Sequence, residues 1–201
     1  MVMTPLGERL MAVDQIADYL RGGGAALLPT DTLPALACTP SSAAQIWTLK
    51  QRPQDKPLIL MAAEAVELLD LTTPIAKLDA LPLAERYWPG PLTLVLPAAG
   101  ALVNHLNPGQ DSLGMRIPAC AATRSLLARS GPLATTSANR SGAPPSCSAE
   151  QAAAAFSGLP LLGPLPWPQP SGLASTVLKW TSPGCWQMLR QGAVMVPDGS
   201  A

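Results

Sequence analysis

The sequence predicts an α/β fold built on a twisted, mixed β-sheet flanked by helices, and three observations carry that prediction. Short apolar runs of strand length mix with amphipathic segments of helix length without strict alternation, which fits a mixed sheet. Sixteen glycines and 23 prolines punctuate a chain that is 48% hydrophobic, so many short elements joined by fixed turns are expected, not a helical bundle or a disordered chain. Aromatic residues make up only 4%, which leaves Leu, Ala and Val to fill most of the core. At 201 residues the chain suits one domain.

In chain order, residues 9–21 place Leu10, Val13, Ile16, Ala17 and Leu20 near helical spacing and predict an amphipathic helix. Gly22-Gly23-Gly24 ends it. Ala25-Ala26-Leu27-Leu28 reads as a buried strand closed by Pro29. Thr30-Asp31-Thr32 then sets hydroxyls and a carboxylate at a strand end, where α/β sheets often line a ligand crevice. The same side chains also suit an Asx/ST turn that caps local backbone.

Ser42-Ala43-Ala44-Gln45 has the spacing of a capping box and predicts a helix that buries Ile46 and Leu49 and stops before Pro53. Lys50, Arg52 and Lys56 follow within seven residues, in a chain whose charged content is only 13%. Cations at a helix end offset its macrodipole by roughly 0.3–1 kcal/mol each, but Lys56 lies beyond that reach. Cations converging on a stiff turn also suit a polyphosphate, Arg as a planar fork and Lys as a point charge.

Leu58-Ile59-Leu60-Met61 predicts a second buried strand, residues 63–70 and 74–87 predict helices, and Trp88-Pro89-Gly90-Pro91 predicts a rigid turn before a strand at Leu92–Leu96. Residues 98–112 read as a loop rich in Ala, Gly and Asn. Arg116 interrupts the apolar run Leu113–Pro118, so its charge must be paired, as in a structural salt bridge, or must face a ligand. A helix over 121–130 ends at Gly131, and Leu133–Thr136 leads into Ser137-Ala138-Asn139-Arg140-Ser141-Gly142. That loop suits either an anion held on exposed N–H groups or a plain turn.

Ser148-Ala149-Glu150-Gln151 is a second capping box that opens a short helix to Phe156. Residues 157–172 are rich in Pro and Gly and are expected as a mobile or surface segment and the best available domain boundary. A closing hairpin pairs Ser175–Leu178 with Trp186–Arg190, Gly192 marks a turn, and the last residues form a tail.

Thirteen cations balance 13 anions. Zero net charge argues against avid binding to bulk RNA or DNA, though not against a local basic cleft. Cys38, Cys120, Cys147 and Cys185 show no metal-ligand spacing, and His105 is the one histidine, so a structural zinc site is not expected. With neither a signal peptide nor an apolar run of membrane-spanning length, a cytoplasmic protein with reduced thiols and no membrane association is expected.

The polar candidates Thr30, Thr32, Lys50, Arg52, Lys56, Ser112, Arg116, Ser137, Asn139, Ser141, Ser175 and Arg190 all fall at strand ends or turns. Cations and hydroxyls without a Cys/His constellation or a G-x-x-x-x-G-K-[ST] loop point to a site that binds charged substrates without a side-chain nucleophile.

Seven motifs occur in order: Pro29-Thr30-Asp31-Thr32; Lys50-Gln51-Arg52-Pro53 with Lys56-Pro57-Leu58; Trp88-Pro89-Gly90-Pro91-Leu92-Thr93; Arg116-Ile117-Pro118; Ser137-Ala138-Asn139 with Ser141-Gly142; Ser175-Thr176-Val177; and Leu189-Arg190-Gln191-Gly192. Together they resemble the YrdC/TsaC family of threonylcarbamoyl-adenylate synthases in its short, single-domain form, with residues 1–201 as one unit and a core of about residues 10–195. The resemblance implies a YrdC-like twisted mixed sheet flanked by helices around a large, positively lined concave cleft. It also implies a reaction in which L-threonine, bicarbonate and ATP give threonylcarbamoyl-AMP and diphosphate. The product would pass to a separate tRNA threonylcarbamoyl transferase complex for t6A modification at position 37, and magnesium would accompany ATP, held through its phosphates.

Carried over position by position, the resemblance assigns Lys50 and Arg52 to the ATP phosphates as the catalytic pair. It assigns Lys56, Ser112, Asn139, Ser141, Cys147 and Arg190 to ATP contacts. Thr30 or Thr32, Arg116, Ser137 and Ser175 fall on the threonine side, with Arg116 pairing the carboxylate. The chain departs from the family's usual P-T-[DE]-T-x-Y-G-L by carrying Leu33-Pro34-Ala35-Leu36, which leaves the threonine pocket's shape and selectivity open. Met61 and Cys147 stand where longer relatives often carry polar contacts. A non-catalytic module binding double-stranded RNA or the ribosome is the alternative, and a carbamoyl-transfer domain like those of hydrogenase-maturation proteins is a weaker one.

Overall fold

The computed structural model describes residues 6–53 and 56–196. Its strands are β1 (Leu10–Met11), β2 (Ala25–Leu28), β3 (Ala35–Cys38), β4 (Ile59–Met61), β5 (Leu92–Pro97), β6 (Ser112–Arg116), β7 (Leu133–Ser137), β8 (Leu161–Leu162), β9 (Thr176–Ser182) and β10 (Cys185–Arg190). Helices α1 (Val13–Arg21), α2 (Ala44–Lys50), α3 (Ala65–Leu69), α4 (Pro74–Tyr87), α5 (Ala101–Leu106), α6 (Ala121–Ser130) and α7 (Ala149–Ala155) surround them. All ten strands form one sheet in the order β1-β8-β2-β3-β7-β4-β6-β5-β9-β10. It is mixed: β4–β6 and β5–β9 are parallel, whereas β3–β7, β4–β7, β5–β6 and β9–β10 are antiparallel.

Side-chain alternation along the strands divides the core into two layers. Leu27, Leu36, Leu60, Leu94, Met115 and Ala134 face one way, onto Ile46, Trp47, Leu68 and Leu83 from α2, α3 and α4. Ala26, Leu28, Ala37, Met61 and Leu133 face the other way, onto Ile16 and Leu20 of α1 and Leu126 and Leu127 of α6. Aligned residues on adjacent strands project to the same side. The register runs Ala37–Thr135–Ile59–Gly114–Val95–Lys179 across six strands, which carries the α1/α6 face onward over β4, β6, β5 and β9. There Ile59, Gly114, Val95 and Lys179 are half-buried, while their neighbours Leu60, Met115, Leu94 and Leu178 are buried. This uncovered half of the face is the floor of a cleft.

Five local expectations are corrected. The first helix begins at Val13 and not at residue 9, because Leu10 and Met11 pair in parallel with Leu161 and Leu162. Arg9 is drawn away as well, its guanidinium donating to the carbonyls of Ala153, Phe156 and Leu159. Ser42 does not cap α2; it ends a 3-10 turn, Pro40–Ser42, that runs directly into the helix, and Gln45 Nε2 donates to the Ser42 and Gly23 carbonyls. Leu33-Pro34-Ala35-Leu36 leads into β3, a strand absent from the sequence-based expectation, buried in the sheet centre. The loop expected at 98–112 contains α5, which buries Val103 and Leu106 at an i, i+3 spacing. The stretch 157–172 is no domain boundary, because it contributes β8, buried between β1 and β2.

The hairpin, the helices over 63–70, 74–87 and 121–130, the strands at 25–28, 58–61 and 92–96, and the strand-like run 113–118 stand near where they are expected. Ser148 Oγ accepts from Gln151 N, while Gln151 Oε1 takes the N–H of Cys147, one residue before the box position. Of the tail expected at the last residues, the part beyond residue 196 lies outside the described residues. No described helix is long and apolar enough to cross a membrane.

Candidate functional site

A cavity of about 270 Å³ opens on the uncovered part of the sheet, lined by Thr32, Arg52, Arg116, Ser137, Ser175 and Arg190 together with Leu33, Ala35, Ile59, Met61, Thr135 and Thr136. A second hollow of about 410 Å³ shares Pro57, Ile59 and Arg190 with it and continues over Thr93, Val95, Asn107, Ser112 and Lys179. Three guanidinium groups and a ring of hydroxyls therefore converge from strand ends and turns that are far apart in sequence.

Arg116 ends β6 and is almost wholly buried. Its three nitrogens are each engaged: Nε donates to the Gly90 carbonyl at 3.0 Å, Nη1 to Thr32 Oγ1 at 2.8 Å, and Nη2 to Asp31 Oδ1 at 2.8 Å. Burial lowers its pKa, with Asp31 opposing and Arg190 adding to the fall. The Trp88-Pro89-Gly90-Pro91 turn exists here to present that carbonyl. Gly90 N in turn bonds the Ile117 carbonyl at 2.8 Å, and a Cβ at Gly90 would lie 2.4 Å from Tyr87 O. Thr30 and Thr32 do form the local turn, with Thr32 N donating to Thr30 Oγ1 and Thr30 Oγ1 donating to Leu33 O. The turn and the contact with Arg116 coexist, and the salt bridge considered for Arg116 is present.

Ser175 stands just ahead of β9. Its Oγ lies 2.8 Å from Thr93 Oγ1 on the adjacent β5. Arg190 at the end of β10 reaches the same residue, with Nε donating to Ser175 O and Nη2 to Ser175 Oγ. Gly192 permits the following chain to return against this point: a Cβ there would lie 2.2 Å from Ala174 O.

Helix α2 ends where Gln51 adopts a left-handed conformation, φ 52 and ψ 48, which turns Arg52 out of the helical path. Arg52 then bridges the turn to β7: Nη1 donates to Thr136 Oγ1 at 3.0 Å and Nη2 to the Lys56 and Pro57 carbonyls. Lys50 points elsewhere. It is buried, and its Nζ donates to Ser137 O, Asn139 O and Asn139 Oδ1. Burial, and secondarily the charge of Arg52, lowers its pKa to about 8. The N–H groups of the loop after β7 are already taken: Ala138 N bonds Pro34 O, Ser141 N bonds Lys50 O, and Asn139 N and Ala143 N bond the Ser137 and Arg140 carbonyls. It is thus a built turn more than an open nest of donors.

The residues expected at the site divide among five places. Thr32, Arg52, Arg116, Ser137, Ser175 and Arg190 line the first cavity, and Ser112 the adjoining hollow. Lys50 and Asn139 stand behind Ser137 in its hydrogen-bond network, and Ser141 is held by Lys50 O. Thr30 and Cys147 face a separate hollow of about 230 Å³ that also contains Trp167 and Pro170. Lys56 is exposed. Thr93, Thr135, Thr136 and Lys179 are missed; the available signal was a hydrophilic residue inside an apolar run, as at Thr93 in β5 and Lys179 in β9, and the adjacent Thr135 and Thr136 offer no alternation to read. Among the described residues no three His, Cys, Asp or Glu side chains lie close enough to hold a metal ion.

Comparison with known proteins places this geometry in context. A family model named Sua5_yciO_yrdC and described as telomere recombination matches residues 18–192. The chain is 38% identical over 146 residues to a threonylcarbamoyl-AMP synthase of Pyrococcus abyssi, covering 71% of this chain and 43% of that protein. It is 36% identical over 145 residues to one from Halorhodospira halophila, covering 70% of this chain and 75% of the relative. The structure of P. abyssi Sua5 complexed with L-threonine superimposes with a TM-score of 0.83 at 31% identity, over 91% of this chain and 57% of that one. The chain therefore spans under half of the Pyrococcus relative and three quarters of the Halorhodospira one.

Proposed function

This chain belongs to the Sua5/YciO/YrdC family, and from that premise we propose that it is an L-threonylcarbamoyladenylate synthase, a nucleotidyltransferase. It converts L-threonine, bicarbonate and ATP to threonylcarbamoyl-AMP and diphosphate. It acts in the cytoplasm and supplies a tRNA threonylcarbamoyl transferase complex that makes t6A at position 37. The observation that carries the reading is the convergence of Arg52, Arg116 and Arg190 with Thr32, Ser137 and Ser175 on one cavity of about 270 Å³. Relatives named threonylcarbamoyl-AMP synthase and a relative's complex with L-threonine support it.

The chemistry asks little of acid–base groups. The threonine amine and bicarbonate combine with loss of water to an N-carboxylate, whose oxygen attacks the α-phosphorus while diphosphate leaves. Such a displacement depends on holding the two anions in line and neutralising their charge. Arg116, anchored on Gly90 and Thr32, takes the amino-acid carboxylate as a planar fork. Thr32 and Ser175 supply hydroxyls beside it. Arg52, from the turn after α2, and Arg190, from the end of β10, face the phosphates, and the adjoining hollow gives the nucleoside room. Among the described residues no cluster of His, Cys, Asp or Glu offers a cage for a metal ion; magnesium would arrive on the ATP phosphates, where it would screen their charge.

The test is diphosphate release by the purified protein with Mg-ATP. Release that requires both threonine and bicarbonate is expected; no release above blank with all substrates present overturns the reading.

A further inference from the structure

We propose that Lys50 is a positioning residue that clamps the loop 137–141 into place, and that Arg52, not Lys50, is the cation its turn presents to the substrate. The two sit two residues apart on one turn, yet the left-handed Gln51 between them sends their side chains to different places. Arg52 lines the cavity. Lys50 is 3% exposed and does not line it.

Its bonding explains why. An ammonium group has three N–H donors, and here three acceptors meet it: the carbonyls of Ser137 and Asn139 and the Asn139 side-chain oxygen. No donor remains for a phosphate. The Lys50 carbonyl meanwhile accepts from Ser141 N at 3.2 Å, so one residue holds both ends of the loop. Asn139 relays the hold, since Ser137 Oγ donates to its Oδ1 at 2.6 Å and its Nδ2 donates to Ala143 O at 2.7 Å. Ser137 is the member of this network that lines the cavity. Among the hydrogen-bond partners of the Lys50 ammonium, Ser137 is thus the one that carries its hold to the cavity wall.

The test pairs Lys50→Met, which keeps the aliphatic stem but removes all three donors, with Asn139→Ala, which removes the shared side-chain acceptor and leaves the cation. Amide hydrogen exchange needs no assumption about the reaction. The clamp predicts exchange about tenfold faster at residues 138–143 in either variant, with the amides of Leu60 and Met115 in the sheet centre unchanged. In the double variant the effects should fall short of the sum. Affinity for L-threonine alone, which rests on the proposed function, should fall about tenfold in each single variant. The proposal is overturned if Lys50→Met leaves loop exchange and threonine affinity as in the parent and weakens ATP alone, as loss of a phosphate ligand would. Should Lys50→Met not fold, Asn139→Ala decides by itself: faster loop exchange supports the clamp, and unchanged exchange overturns it.

Discussion

Asp31 and Arg116, 85 residues apart in the chain, meet at 2.8 Å beneath the cavity, with Arg116 only 3% exposed. Asp31 Oδ1 also accepts the N–H of Ala119, and the carboxylate thereby ties the turn after β2 to the segment after β6. Asp31→Ala leaves the guanidinium buried without its counter-charge, a change that costs about 3–5 kcal/mol. Urea unfolding should show a lower midpoint at unchanged slope.

Arg52→Ala removes a charged donor at the cavity wall while leaving the core intact. Losing such a contact costs about 1.5–3 kcal/mol, so ATP affinity should fall on the order of tenfold to a hundredfold. Lys56→Ala, at an exposed position, should change it less. Calorimetric titration of each variant with ATP checks the ranking.

Gly192→Ala drives a methyl group to within 2.2 Å of Ala174 O and 2.5 Å of the Ser175 carbonyl carbon. Both are backbone atoms and cannot swing aside, so the strand start must shift. A loss of about 1–3 kcal/mol in stability is expected, and with it a higher KM for threonine, because Ser175 moves. Thermal unfolding and steady-state kinetics read the two effects separately.

Titration of Lys50 pulls stability and activity in opposite directions. Folding lowers its pKa from 10.5 to about 8. Below pH 8 both folded and unfolded chains carry the proton, and burying the charge opposes folding in full. Between about pH 8 and 10.5 the unfolded chain binds the proton more tightly, so stability rises with pH relative to Lys50→Met, by at most about 1.4 kcal/mol for each pH unit crossed. The neutral amine, however, offers two donors to three acceptors and loosens the loop. Turnover should decline as pH rises through about 8 in the parent, and Lys50→Met should lack that limb.

Much of this was legible because local chemistry and tertiary structure agree. Strands such as Leu58–Met61 and Leu92–Leu96, and Gly131 at the end of α6, follow from apolar runs and breakers alone. The motifs also located six residues of one cavity that no spacing rule connects. What stayed hidden was set by distant partners. Leu10 and Met11 look helical until Leu161 and Leu162 pair with them, and Ala35–Cys38 lacks the β-branched residues that mark a strand but is enclosed between β2 and β7. Lys50 shows the same limit within the site: a cation in a motif looks like a ligand for phosphate, and only the position of Ser137 and Asn139 reveals where its protons go.

The strand order has a consequence for how the cleft comes and goes. Its floor joins Thr93 of β5 to Val177 of β9, and its last arginine closes β10 at the sheet's edge. Detaching that edge hairpin would remove Ser175 and Arg190 while the layer under α1 and α6 kept its packing. Under the proposed function, substrates that bridge the two halves would act as a splint on this edge hairpin, and saturating concentrations should protect it from proteases first.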